Sequence, residues 1–166
     1  CAKLAAVCEL QLGDAPRAMD ARARAFRLRS DDAATLAELE RLAAATGRFA
    51  QLVELYQEEA SRSLSPRRAA DLALRVARVQ DEALADPEAA ARSYRRALDA
   101  EGDSDVALSA LERIYQRLDR PAALAEVLAR RVASAGAMPA AERADLWLRL
   151  GRLRAQAGGI HLGARP

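Results

Sequence analysis

The chain has 166 residues, 51% of them hydrophobic and 30% charged, with only 4% aromatics and a formal net charge of +2. Ala, Leu, Arg and Glu dominate, all strong helix formers, so a soluble, ordered, all-helical class is favoured. The near-neutral balance argues against nonspecific nucleic-acid binding, and no run approaches the ~18 consecutive apolar residues of a membrane span.

Apolar residues recur at helical spacing along almost the whole chain, broken by short Gly, Pro, Asp and Ser stops, and strand-type alternation is absent. The spacing predicts nine helices. The first spans about Ala2 to Leu12 and ends at Gly13; Asp14 then caps a second from Ala15 to Arg29, with Pro16 in its first turn. A third, Ala33 to Thr46, starts behind Asp32 and stops at Gly47, and a fourth covers Arg48 to Arg62. Ser65 with Pro66, and Asp86 with Pro87, each read as an N-cap followed by proline at the first helical position, where its missing donor costs nothing. They open a fifth helix reaching Leu84 and a sixth reaching Ala100. Gly102 precedes a seventh from Asp105 to Leu118, and Pro121 opens an eighth that runs to about Ala135 and ends at Gly136. The ninth extends from Pro139 to Ala157, where Gly158 and Gly159 are expected to terminate it and leave a frayed tail.

The chain also repeats itself. Displaced by 72 residues, Ala5, Val7, Asp14 and Ala18 meet Ala77, Val79, Asp86 and Ala90, and Leu36, Leu39, Glu40 and Arg41 meet Leu108, Leu111, Glu112 and Arg113. A third copy starts at Asp145, where Asp145, Leu146, Arg149 and Arg152 echo Asp71, Leu72, Arg75 and Arg78 at a displacement of 74. Such a period is the sign of stacked helical hairpins, each burying its apolar flank against its neighbours. Paired in order, the helices give units at 1–31, 32–64, 65–103 and 104–136, a partial fifth at 137–159, and a tail at 160–166.

Trp147, Leu150, Gly151 and Gly158 follow the opening of the tetratricopeptide pattern, W-x2-L-G-x2-Y with a later glycine turn, and Ala90, Tyr94 and Ala97 follow its second half. Leu36, Leu39, Glu40, Ala43 and Gly47 keep the same spacing, repeated by Leu108, Leu111, Glu112, Tyr115 and Asp119. The chain resembles a tetratricopeptide-repeat protein of bacterial type. That resemblance implies a right-handed α-solenoid of stacked antiparallel helical hairpins, with Trp147, Tyr94 and Tyr115 in the wedges between hairpins and small residues where helices approach closely. Several positions depart from the pattern: Glu40 and Glu112 replace the small residue, Arg22 stands where an aromatic is usual, and Leu52 and Leu124 replace alanine.

The resemblance also implies that the first helix of each hairpin lines a concave groove. Two residues beyond the packing pair in successive first helices lie Arg41, Arg78, Arg113 and Arg152, with Ala6 breaking the series in the first unit. Guanidinium groups make paired, charge-assisted hydrogen bonds to carboxylates and phosphates, so a protein or peptide partner with an acidic segment is the favoured ligand. The competing expectation is that these arginines pair with acidic neighbours such as Glu38, Glu40, Glu82 and Glu112. Asp31 with Asp32, and Asp81 with Glu82, read as caps or solvated faces.

Catalysis, cofactor binding and metal binding find little material. The only histidine, His161, falls in the expected tail with no nucleophile or ligand cluster near it in sequence, and no Gly-rich phosphate loop or zinc spacing is present. A non-catalytic protein-interaction scaffold is therefore expected. A structural or regulatory arm of a larger enzyme or envelope assembly, with no groove ligand, is the alternative, and RNA binding is a minor one. The absence of asparagine counts against the family's clamp for chaperone tails and against base-by-base RNA reading.

Cys1 and Cys8 lie seven residues apart, two helical turns, too far for a disulfide; both read as small buried apolar residues, an acylated Cys1 being the sharper alternative. Because the chain opens in mid-pattern without methionine, a fragment is expected. The compartment stays open between cytoplasm and periplasm. The uncapped ends, Cys1 on one side and Trp147, Leu148 and Leu150 on the other, are expected to leave apolar stripes that invite self-association.

Overall fold

A computed structural model describes residues 14–28, 32–134 and 139–162. Among them the chain forms eight helices and no strand: α1 (Ala15–Leu28), α2 (Ala33–Thr46), α3 (Phe49–Arg62), α4 (Pro66–Glu82), α5 (Pro87–Glu101), α6 (Asp105–Arg117), α7 (Pro121–Ser134) and α8 (Ala140–Leu162). The helix expected at Ala2 to Leu12, with Cys1, Ala6 and Cys8, lies outside the described residues, as do Asp31 and Gly136.

The helix starts follow from local chemistry. First-turn amides have no partner inside a helix, and a short side-chain acceptor just before the helix supplies one. Asp14 accepts from the Arg17 N–H at 3.0 Å, Asp32 from Ala34 at 3.1 Å, Ser65 from Arg68 at 3.3 Å and Asp86 from Ala89 at 2.9 Å. Ser104, not among the expected caps, serves Ala107 in the same way at 3.5 Å. The Thr35 hydroxyl donates to Asp32 at 2.6 Å and, with the Ala34 amide, holds the Asp32 carboxyl below its ordinary pKa.

The stops recur with the repeat. Gly47 ends α2 in the left-handed region at φ 70°, and Asp119, its counterpart 72 residues on, does the same after α6 at φ 49°. In both turns an amide reaches back to the matching carbonyl, Arg48 to Ala43 at 3.1 Å and Arg120 to Tyr115 at 2.9 Å. α8 is the exception. It runs through Gly158 and Gly159 to Leu162, so the expected stop is wrong and His161 lies on a helix rather than in a tail. A helical glycine costs only about 1 kcal/mol relative to alanine, and no proline stands between Gly159 and Leu162 to impose an end.

Every consecutive pair of helices packs together, α4 and α5 most extensively. The apolar interior divides on α4. Leu72 and Val76 join a first core with Phe26, Leu39, Leu42 and Tyr56, while Ala77 joins a second with Tyr94, Leu108, Leu111 and Leu128. Tyr94 and Tyr115 are buried as the wedge argument requires, but Trp147 is 54% exposed, because no further helix among the described residues covers that side of α8. Nor does Gly151 serve a close helix approach, since a Cβ built there meets nothing within 4 Å. Leu52 and Leu124 are core residues.

Tyr56 packs on Phe26 with ring centroids 5.6 Å apart and donates its hydroxyl to the Leu36 carbonyl at 3.3 Å. Burial, and then the Glu40 carboxylate, push its pKa far above the ordinary tyrosine value; burial raises Tyr94 and Tyr115 in the same direction. A phenol that resists ionisation in the fold keeps its proton while the unfolded chain gives it up above pH ~10, so stability is full below that pH and is lost as pH rises further. Phenolate absorbance in an alkaline titration should therefore appear together with the loss of helical circular dichroism. A rise that precedes unfolding would contradict the burial argument.

Candidate functional site: the face of the first helices

The first helices of the expected hairpins are α2, α4, α6 and α8, and charged side chains join each to the next. Arg75 of α4 reaches Glu40 of α2 at 2.5 Å, Arg113 and Arg117 of α6 hold Asp81 of α4 at 2.6 and 2.5 Å, and Arg149 of α8 bonds Glu112 of α6. Arg131 of α7 shares Glu112. The second helices are joined likewise, α1 to α3 through Arg27 and Glu58 at 3.3 Å and α5 to α7 through Arg95 and Glu126 at 3.7 Å. Between α3 and α5 the described residues show no such pair, and a cleft of about 370 Å³ opens there over α4, lined by alanines with Val76, Ser93 and Arg96.

Glu40 and Glu112 each receive an arginine from the next first helix, and the pairs Glu40–Arg75 and Glu112–Arg149 recur with the repeat. Their energetic weights differ. Glu40 and Arg75 are each about one-third exposed and contribute no more than about 1 kcal/mol, whereas the Asp81 side chain is 3% exposed and depends on its partners for solvation. Asp81, read from sequence as a cap or solvated residue, is thus a buried acceptor; beside it Ser93 donates to Gln80 at 2.7 Å, closing a polar patch on the inner side of α4.

The four arginines of the expected column are all exposed but not equivalent. Arg41 makes a two-pronged bond to Glu38, Nε at 3.0 Å and Nη2 at 2.7 Å, and Arg113 is committed to Asp81. Arg78 and Arg152 make no ion pair among the described residues. Internal pairing therefore claims half the column, through Glu38 as the neighbour argument held and through Asp81, which it did not name. Arg78 borders a shallow cleft of about 170 Å³ between α2, α3 and α4, with Phe49, Leu52 and Val79 as its apolar floor and Arg75, Glu40 and Glu82 around its rim.

Sequence reasoning missed Asp81 as an acceptor. The signal available was indirect: Arg113 and Arg117 stand one helical turn apart, spaced to converge on a single carboxylate of a neighbouring helix. Among the described residues no group of three or more His, Cys, Asp and Glu side chains is placed to hold a metal ion, and no helix is long and apolar enough to cross a membrane.

No protein-family model matches the chain, and no curated protein matches it at a significant level.

Proposed function

We propose that the chain is a non-catalytic protein-binding scaffold, a tetratricopeptide-like solenoid that takes an acidic, partly apolar peptide segment along the face of its first helices. Arg78 is the observation that carries this reading: an exposed guanidinium with no ion pair among the described residues, set at the rim of a cleft with an apolar floor. An acidic side chain on the arginine with an apolar neighbour on Phe49 and Val79 fits that chemistry. Among the described residues only helices consecutive in the chain pack together extensively, which supports an open array rather than a closed globule.

The carboxylates that neutralise Arg41 and Arg113 favour a second reading, a structural arm whose charges serve only to hold its helices in register. The probe is a fluorescein-labelled peptide alternating glutamate and leucine, followed by anisotropy, with single-stranded RNA of equal charge in parallel. Arg78→Glu should weaken peptide binding at least about tenfold, equivalent to one lost charge-assisted pair, and leave the helical circular dichroism unchanged. Arg113 is a poorer probe, because its removal also disturbs Asp81. Equal affinity of Arg78→Glu and the unaltered chain, or no binding by either, would favour the arm; tighter, salt-sensitive retention of the RNA would favour nucleic acid.

A further inference from the structure

The apolar residues of α8 fall on two opposite faces. Leu146 and Leu150 are buried and Leu153 half-buried against α7 and the second core. On the other side Ala141, Ala144, Leu148, Gly151 and Ala155 follow one another at intervals of three and four residues, the spacing of a coiled-coil seam, and all are exposed. Trp147 stands beside this seam, 54% exposed, with Leu148 at 60%. The small residues allow close approach, and at Gly151 no described residue occupies the space.

The flanks identify the occupant. One edge of the seam carries Asp145 and Arg152 and the other carries Trp147 and Arg154, each pair seven residues apart. When two identical helices pack antiparallel, each flank meets the same flank of its partner running backwards. Asp145 of one copy then faces Arg152 of the other, twice by symmetry, and each Arg154 guanidinium lies over a Trp147 ring, a favourable cation–π arrangement. Asp145, Arg152 and Arg154 make no ion pair among the described residues, so all three are available. A following helix of the repeat is a worse fit: it would cover the register position of Arg154, which in α2, α4 and α6 is held by Ala43, Gln80 and Tyr115, all buried.

We propose that two copies of this chain associate through antiparallel pairing of their α8 helices. The described seam is about 22 Å long, below the size of a permanent interface, so a dissociation constant on the order of 10 μM is expected. Pairing engages Arg152 and leaves Arg78 free, so it stands or falls separately from the peptide-binding reading.

Sedimentation velocity over a concentration series tests it. The unaltered chain should shift from monomer to dimer, and the emission of its single tryptophan should move to shorter wavelength along the same curve. Asp145→Arg and Arg152→Asp should each weaken the dimer by roughly tenfold, because each puts like charges in register twice, while the double exchange restores it. Leu148→Glu should abolish it with helicity unchanged. Monomers at every concentration, single exchanges without effect, or a double exchange that fails to restore association would each overturn the proposal; the charge exchanges decide the matter even if Leu148→Glu fails to fold.

Discussion

Leu108→Ala should lower the free energy of unfolding by about 3 kcal/mol, whereas Trp147→Ala, at the matching position two helices later, should change it by less than about 1 kcal/mol. Leu108 is fully buried among Leu111, Tyr94 and Leu128, so truncation removes the transfer energy of its methyl groups and leaves a cavity that neighbours on several helices cannot all move to fill. Trp147 occupies the same register but keeps 54% of its surface in water. Urea titration of the two variants in dilute solution, where α8 stands unpaired, provides the comparison. Comparable losses would show that Trp147 is packed after all.

The second expected result concerns Asp81. Arg113→Ala and Arg117→Ala should each cost under about 1 kcal/mol, because the remaining guanidinium still neutralises the carboxylate, but the double variant should cost about 3 kcal/mol. The asymmetry comes from burial. Asp81 is 3% exposed and would be left as an unpaired charge away from water, while the two arginine side chains, 63% and 51% exposed, are solvated with or without it. Asp81→Asn should therefore cost less than the double arginine variant, since it removes the charge that needs compensation. A double-mutant cycle with no coupling between the arginines would refute this account.

Most of the helical order was legible because its determinants are local. Asp14, Asp32, Ser65 and Asp86 cap the helices they were expected to cap, and Gly47 closes α2 as its left-handed geometry requires. The run of α8 through Gly158 and Gly159 was not legible, because two glycines weigh as a stop only when something outside the helix rewards stopping. The face of the first helices was legible by half. That Arg41, Arg78, Arg113 and Arg152 share a register follows from spacing, but which carboxylate each finds depends on distances between helices that spacing does not encode. The recurrence of Glu40 and Glu112, each answered by an arginine 35 or 37 residues on, was the one sequence trace of those contacts.

The division of the interior on α4 has a consequence for how the chain comes apart. This helix is a party wall: Leu72 and Val76 furnish one room, Ala77 the other, and the alanine-lined gap between α3 and α5 means the two rooms have little else in common. When each module leans chiefly on the next, cooperativity is only as strong as the weakest joint. Heat or urea can then empty the room around Phe26 and Tyr56 while the one around Leu108 and Leu128 still stands, with α4 held by its remaining tenant.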